Sequence, residues 1–226
     1  MKSPLAAIAV GFTLLMGATS ASAVPLYDGS LGQTADLQGW SYLGTISPPA
    51  LSSTTNALSL DTDDISNYGG YFRLAPFQLD RTPGYTISFS LKIDPENLSN
   101  NNYVSLIVMS DALPGETQPY GIELNFGENS IWAQNKNFTA GEKVAVKGTA
   151  ATKSYVLKIQ GNQYQLLTSN LAPPILQGSL RKYPGFTPIP GFINPYTTPN
   201  LIFIGDKTPL ATSKVAVTRV SASPLN

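Results

Sequence analysis

Glu123-Leu124-Asn125-Phe126-Gly127 is the stretch whose residue types and spacing come nearest to catalytic chemistry. Alternate residues of a strand share one face. Acids at such positions can flank a glycosidic bond, about 5–5.5 Å apart for retention or 6.5–9.5 Å for inversion. Here the first acid is present, but Asn125 and Gly127 hold the next two places. Glu128 lies five residues from Glu123, on the opposite face of a continued strand and in a turn. The 226 residues contain no His and no Cys. That removes the Ser-His-Asp triad, the Cys-His dyad and the zinc-protease helix, along with disulfides and thiolate metal sites. Carboxylate, Tyr, Lys and Ser/Lys chemistry are left. Tyrosine as the acid and base of a lyase is available, with 11 Tyr. Only Arg73, Arg81, Arg181 and Arg219 supply guanidinium groups to neutralise a uronic carboxylate.

The same stretch reads better as a binding face. Ile122, Leu124 and Phe126 claim a core, so Glu123 and Asn125 point away from it. The turn Gly127-Glu128-Asn129 is short, which sets the next strand beside them. If Ile131 and Ala133 take the core side, Trp132 and Gln134 share the face of Glu123 and Asn125. An aromatic plate beside acids and amides suits a sugar, with one apolar ring face and a rim of hydroxyls. Glu123, Asn125, Trp132 and Gln134 are therefore the expected ligand-binding set. The plainer alternative packs Trp132 under the Pro-rich segment described below, and a one-residue bulge in the turn would reverse the facing and bury it. For metals, Asp61-Thr62-Asp63-Asp64 resembles the start of an oxygen-rich calcium loop, without the Gly and distal Glu of an EF-hand. A solvated turn is the plainer reading of Asp61, Asp63 and Asp64. Calcium is the one cofactor left open. Asp206, after Gly205, is expected to cap its own backbone in a turn.

The elements that must position these residues are β-strands. Thr86 to Ile93 alternates without error, with Ile87, Phe89, Leu91 and Ile93 on one side. Tyr120 to Phe126 and Tyr155 to Ile159 repeat the pattern. Tyr103 to Met109 and Leu201 to Ile204 are apolar on both faces, as strands covered twice should be. Val215 to Val220 is a further strand. Weaker candidates are 41–45, 57–60, 70–74, 130–134, 143–146 and 164–167. Thr82-Pro83-Gly84, Leu113-Pro114-Gly115 and Gly161-Asn162 punctuate them as turns. No segment of ten residues carries a 3.6-residue period. The expectation is an all-β, jelly-roll-like sandwich of two antiparallel sheets with about a dozen strands.

Pro173–Pro199 breaks the rhythm with seven prolines. Its prolines lower the entropy lost on ordering, and Tyr183, Phe186, Phe192 and Tyr196 can pin it to the sandwich. It reads as a loop without strands, serving either as a rigid cover over a sheet edge or as a binding loop.

At the N-terminus, Lys2 precedes an apolar run from Leu5 to Met16, and Ala21-Ser22-Ala23 is a small-x-small site. This is the order of a secretory signal peptide. The run is too short for the roughly 20 residues of a membrane span. The expected organisation is a signal peptide at 1–23 and a single domain at 24–226. Removing Lys2 leaves 13 basic and 14 acidic residues. A net charge near zero argues against nucleic acid as partner. The mature chain is expected outside the cytoplasm, secreted or periplasmic, with no membrane span after cleavage. Asn97-Leu98-Ser99 and Asn137-Phe138-Thr139 fit the glycosylation pattern.

Several separated stretches carry a family resemblance. They are Leu26-Tyr27-Asp28-Gly29-Ser30-Leu31-Gly32, Gln38-Gly39-Trp40, Gly84 to Phe89, Gly121 to Leu124, Ile131 to Asn135, Leu180 to Tyr183 and Pro199 to Thr208. In this order they resemble the bacterial choice-of-anchor Y domain, over nearly all of residues 26–221. Such domains are similar to the concanavalin A-like lectin/glucanase jelly roll. The resemblance implies a secreted, surface-associated bacterial module with no established catalytic residues. Its name refers to alternative C-terminal anchors, and the chain ends at Asn226, just past the last expected strand, so attachment through such an anchor is not expected. Together these readings point to a non-catalytic, glycan-binding or surface-associated module. An extracellular glycoside hydrolase or polysaccharide lyase is the alternative.

Overall fold

The computed structural model describes residues 22–44, 53–54, 57–61, 69–93, 103–127, 129–146, 151–184, 193–206 and 214–225. Fifteen strands run in chain order: β1 (Val24–Asp28), β2 (Ser41–Gly44), β3 (Ser53–Thr54), β4 (Ala57–Asp61), β5 (Gly69–Leu74), β6 (Tyr85–Ile93), β7 (Tyr103–Met109), β8 (Gly121–Gly127), β9 (Ser130–Gln134), β10 (Ala140–Ala145), β11 (Lys153–Gln160), β12 (Gln163–Leu167), β13 (Leu176–Ser179), β14 (Leu201–Asp206) and β15 (Lys214–Pro224). Two short 3₁₀ turns, Gly29–Leu31 and Asp36–Gln38, are the only helical pieces among the described residues. No helix there is long and apolar enough to cross a membrane.

The strands form two antiparallel sheets. One has eight strands, ordered β13-β12-β11-β6-β15-β4-β3 with β1 also on β15; the other has seven, ordered β10-β9-β8-β7-β14-β5-β2. This is the expected all-β sandwich. The period-2 pattern of β6 decides its facing: Ile87, Phe89, Leu91 and Ile93 are buried and Lys92 is exposed. Phe89 meets Phe126 of β8 edge to face at 5.5 Å, and Tyr155 of β11 stacks on Phe89 at 5.6 Å. This aromatic triad ties the two sheets together, and each such side chain contributes about 1.5–3 kcal/mol through burial. At one end Trp40 is buried, and its Nε1 donates to the Leu26 carbonyl at 2.8 Å. Arg73 donates to the same carbonyl.

Strands β7 and β14 are apolar on both faces for a reason visible in the packing. Their inward residues join the main core. Their outward residues Ile107, Met109, Leu201 and Phe203 form a second cluster with Tyr183 and Tyr196. The segment 173–199 thus differs from expectation twice. It is not free of strands, because Leu176–Ser179 pairs with β12 as an edge strand. Four residues containing a glycine are too short to show a period. Its described aromatics also cover the outer face of the seven-stranded sheet rather than an edge. Phe186 and Phe192 lie outside the described residues. Asp206 is not in a turn; it is the buried last residue of β14, opposite Gly69. Residues 1–21 of the expected signal segment 1–23 also lie outside the described residues, and β1 begins at Val24.

Candidate functional site

The outer face of the seven-stranded sheet brings all four expected site residues together. Strand β8 pairs with β9 at Leu124↔Ala133, Asn125↔Trp132 and Phe126↔Ile131. Leu124, Phe126, Ile131 and Ala133 sit in the main core, so Asn125 and Trp132 are neighbours on the other face. On the far side, Ser105 of β7 faces Asn125 and Ile107 faces Glu123.

Glu123, Asn125 and Gln134 form a buried network with Ser105. The Ser105 hydroxyl lies 2.8 Å from Asn125 Oδ1 and 3.2 Å from Glu123 Oε1, sharing its one hydrogen between two acceptors. Asn125 Nδ2 donates to Gln134 Oε1 at 3.3 Å. Tyr196 donates its phenolic hydrogen to Glu123 Oε2 at 2.8 Å. Burial polar atoms demand such partners, since an unmade hydrogen bond in a dry interior costs about 1–3 kcal/mol.

The Tyr183 hydroxyl does different work. The β8–β9 ladder stops at Leu124↔Ala133. At the next position the hydroxyl accepts from the Glu123 N–H at 3.0 Å and donates to the Gln134 carbonyl at 2.9 Å. It bridges two strands where their own ladder ends, so both backbone groups stay paired. Burial and the neighbouring Glu123 carboxyl push the phenols of Tyr183 and Tyr196 above the ordinary tyrosine range. Both therefore act as hydrogen donors at neutral pH.

Local backbone structure aims these tyrosines. Arg181 exchanges two backbone hydrogen bonds with Gly121, and Gln118 Nε2 donates to the Tyr183 carbonyl, which lays the chain along the start of β8. Around Tyr196, Asn194 Oδ1 accepts from the Tyr196 N–H at 2.9 Å, and Thr198 Oγ1 donates to the Asn194 carbonyl at 2.7 Å. These are the local bonds that let Asn and Thr stabilise turns. Phe138, at the β9–β10 hairpin tip, meets the Tyr196 ring at 5.3 Å and stacks on Tyr183 at 6.2 Å.

Trp132 differs from its three companions: it is half-buried, with Tyr103 half-buried beside it. Their rings meet edge to face at 5.3 Å. They belong to β9 and β7, with β8 between. Contact across that strand is open because β8 presents Gly127 opposite Tyr103 and the short Asn125 opposite Trp132. The result is an aromatic surface floored by the amide network. Exposed Lys143 of edge strand β10 lies opposite Trp132 on the same face.

Glu123 is the sole acid among the described outward residues of β7, β8 and β9. Glu142 of β10 is held by Arg181. Among the described residues no group of three His, Cys, Asp or Glu stands ready for a metal ion. Asp63 and Asp64 lie outside the described residues; Asp61 ends β4, paired with Lys214. Residues that the sequence did not assign to the site are Ser105, Tyr103, Tyr183, Tyr196 and Lys143. A serine inside the apolar run Val104-Ser105-Leu106 was the one available signal for the network. The partners of Tyr183 and Tyr196 are long-range and leave no trace in local spacing.

No protein-family model matches the chain, and no curated protein matches it in sequence. Solved structures do resemble it in fold. A carbohydrate esterase from the Shiga toxin-encoding bacteriophage phi24B superposes with a TM-score of 0.60 at 14% identity, over 91% of this chain and 100% of that one. The exoplasmic/lumenal domain of VIP36 in its Ca2+/Man2-bound form gives 0.55 at 12% identity, over 89% of this chain and 87% of that one. At such identities the likeness is one of fold: a sandwich shared with a carbohydrate esterase and the VIP36 exoplasmic/lumenal domain.

Proposed function

We propose that the protein is an extracellular glycan-binding module whose ligand rests on the Trp132–Tyr103 surface. The observation that carries this is the partly exposed aromatic pair on an outward sheet face, with a fixed amide and carboxyl network beneath it. Trp132 supplies the plate for the apolar face of a sugar ring. Asn125, Gln134 and Glu123 are fixed beside that plate by their own buried bonds, and Tyr103 holds its edge, so few groups need ordering when a ligand arrives. Catalysis by paired carboxylates is disfavoured, because Glu123 has no facing acid among the described residues of these strands. The fold shared with a carbohydrate esterase and with a VIP36 domain solved in a Ca2+/Man2-bound form is in keeping with a carbohydrate ligand.

Export belongs to the same reading. The small-x-small site Ala21-Ser22-Ala23 ends directly before β1, and Ser22 and Ala23 are exposed, so cleavage after Ala23 would leave the first strand whole. Membership of the choice-of-anchor Y group, and a calcium ion at Asp61–Asp64, are further parts of the proposal. Titrating Ca2+ while following the melting temperature tests the latter.

The deciding experiment is calorimetric titration of a polysaccharide panel against the mature chain and Trp132→Ala. The expected result is binding by the mature chain, lost in the variant while cooperative unfolding persists. A mature chain that binds nothing, or a variant that binds as well, overturns the reading.

A further inference from the structure

We infer that the glycan recognised here is anionic and that Lys143 selects it; this rests on the glycan-binding reading above. The register fixes the geometry. Lys143 of β10 stands directly opposite Trp132, and Val144 opposite Ile131. Val144 packs against the main core, so Lys143 projects from the outer face beside the Trp132 ring. Cross-strand neighbours hold their Cβ atoms about 4.5–5.5 Å apart. An ammonium on a flexible stem therefore reaches any substituent at the edge of a sugar lying on that ring.

The charges around it favour an anion. Lys143 is exposed and in no ion pair among the described residues, and it takes no part in the Arg81–Glu116 and Arg181–Glu142 bridges. The acid next to it in sequence, Glu142, is thus neutralised by Arg181. Glu123, the acid of β8 on the same outer face, is fully buried and bonded to Tyr196 and Ser105. Glu128, in the β8–β9 turn, lies outside the described residues. Approach is open as well. β10 is the edge strand, and its next outward residue, Ala145, is small and exposed. A ring stacked on Trp132 thus meets a cation at one edge. A carboxylate or a sulfate ester on the sugar supplies the matching charge.

The test uses two polymer pairs of shared backbone: polygalacturonate against its methyl ester, and dextran sulfate against dextran. Affinities are measured by calorimetry at two salt concentrations. The mature chain is expected to prefer an anionic member, and the pair showing the preference identifies carboxylate or sulfate as the group read. Lys143→Gln is expected to reduce that preference about threefold, the scale of one exposed charge pair. Lys143→Arg should retain it. Lys92→Gln, on the outer face of the other sheet, should leave it unchanged. Trp132→Ala should weaken every polymer that binds. Equal affinity within both pairs, with binding intact, overturns the anionic inference and leaves the glycan-binding reading standing. An equal loss in Lys92→Gln also overturns it, because bulk charge then accounts for the preference. Failure of all four polymers to bind overturns both.

Discussion

Tyr196 closes over Glu123: its hydroxyl lies 2.8 Å from a carboxyl oxygen that has no exposure to solvent. The contact joins residues 73 positions apart and fixes the segment after β13 to the middle of β8. Removing the hydroxyl leaves a buried acceptor short of one donor. Tyr196→Phe is therefore expected to cost about 1–3 kcal/mol in denaturant unfolding. Glu123→Gln retains an acceptor oxygen and should cost less. The two changes should be coupled by about 0.5 kcal/mol or more in a double-mutant cycle. Strict additivity would show that the Tyr196 hydroxyl bonds a carboxyl and a carboxamide equally well.

Trp132 and Phe126 are separated by one side of the sheet, and their alanine variants should differ accordingly. Phe126 lies in the aromatic triad between the sheets, so Phe126→Ala is expected to cost about 3–5 kcal/mol. Trp132→Ala loses partial burial and one edge-to-face contact, worth about 0.5–1.5 kcal/mol. Thermal unfolding of the two variants side by side checks the order. A Trp132→Ala loss as large as that of Phe126→Ala would place the indole in the core.

The facing of β6, β8 and β9 could be read from the sequence because each side chain's environment follows from parity alone. Ile122, Leu124 and Phe126 reveal the inward side, and Glu123 and Asn125 the other. What covers that other side could not be read in the same way. Tyr183 and Tyr196 stand in a proline-rich stretch without period, and their bonds to Glu123 depend on where the fold brings the chain back. The expected site residues therefore share a face as anticipated, yet three of the four are buried. The short strand at 176–179 leaves no signal in the sequence, because its pairing, not its composition, makes it a strand.

Gly205 and Gly70 oppose each other on β14 and β5, and neither has room for a side chain. A Cβ on Gly205 would stand 2.6 Å from the Gly69 carbonyl oxygen and 2.8 Å from Phe203 Cζ. Backbone on the facing strand cannot move aside as a flexible side chain can. Gly205→Ala should therefore prise β5 from β14 and lower stability by about 1–3 kcal/mol, the usual range for overpacking. Gly115→Ala is the informative companion: open space surrounds it, but its φ of 85° strains an alanine. Its loss should stay near the 1–2 kcal/mol of a left-handed residue. Hydrogen exchange separates them, with faster exchange across β5–β14 in Gly205→Ala alone.

The acid limb of stability should report on Glu116. Its carboxyl accepts from Arg81 Nη1 at 3.0 Å and Nη2 at 2.5 Å, and from the Leu113 N–H at 3.0 Å. Asn162 Oδ1 holds Arg81 Nε at 2.8 Å, and the guanidinium lies 4.6 Å from the centre of the Tyr120 ring. The Arg81 hydrogen bonds hold the Glu116 carboxyl below the ordinary glutamate range. A carboxyl with a depressed folded pKa adds stability that is fully present above its unfolded value, about 4.3. That stability drains away as pH falls from there through the folded value. Above this window the advantage of the natural chain over Glu116→Gln should be constant. Below it the advantage should shrink, because protonation removes in the natural chain what the substitution has already removed. Asp28 and Asp36, also depressed, act on both chains alike and cancel in the difference. Urea unfolding of both proteins between pH 7 and pH 3 gives the two curves. Curves that run parallel through the acid range would show that Glu116 titrates alike in the folded and unfolded chain, and that the Arg81 clamp contributes nothing through its charge.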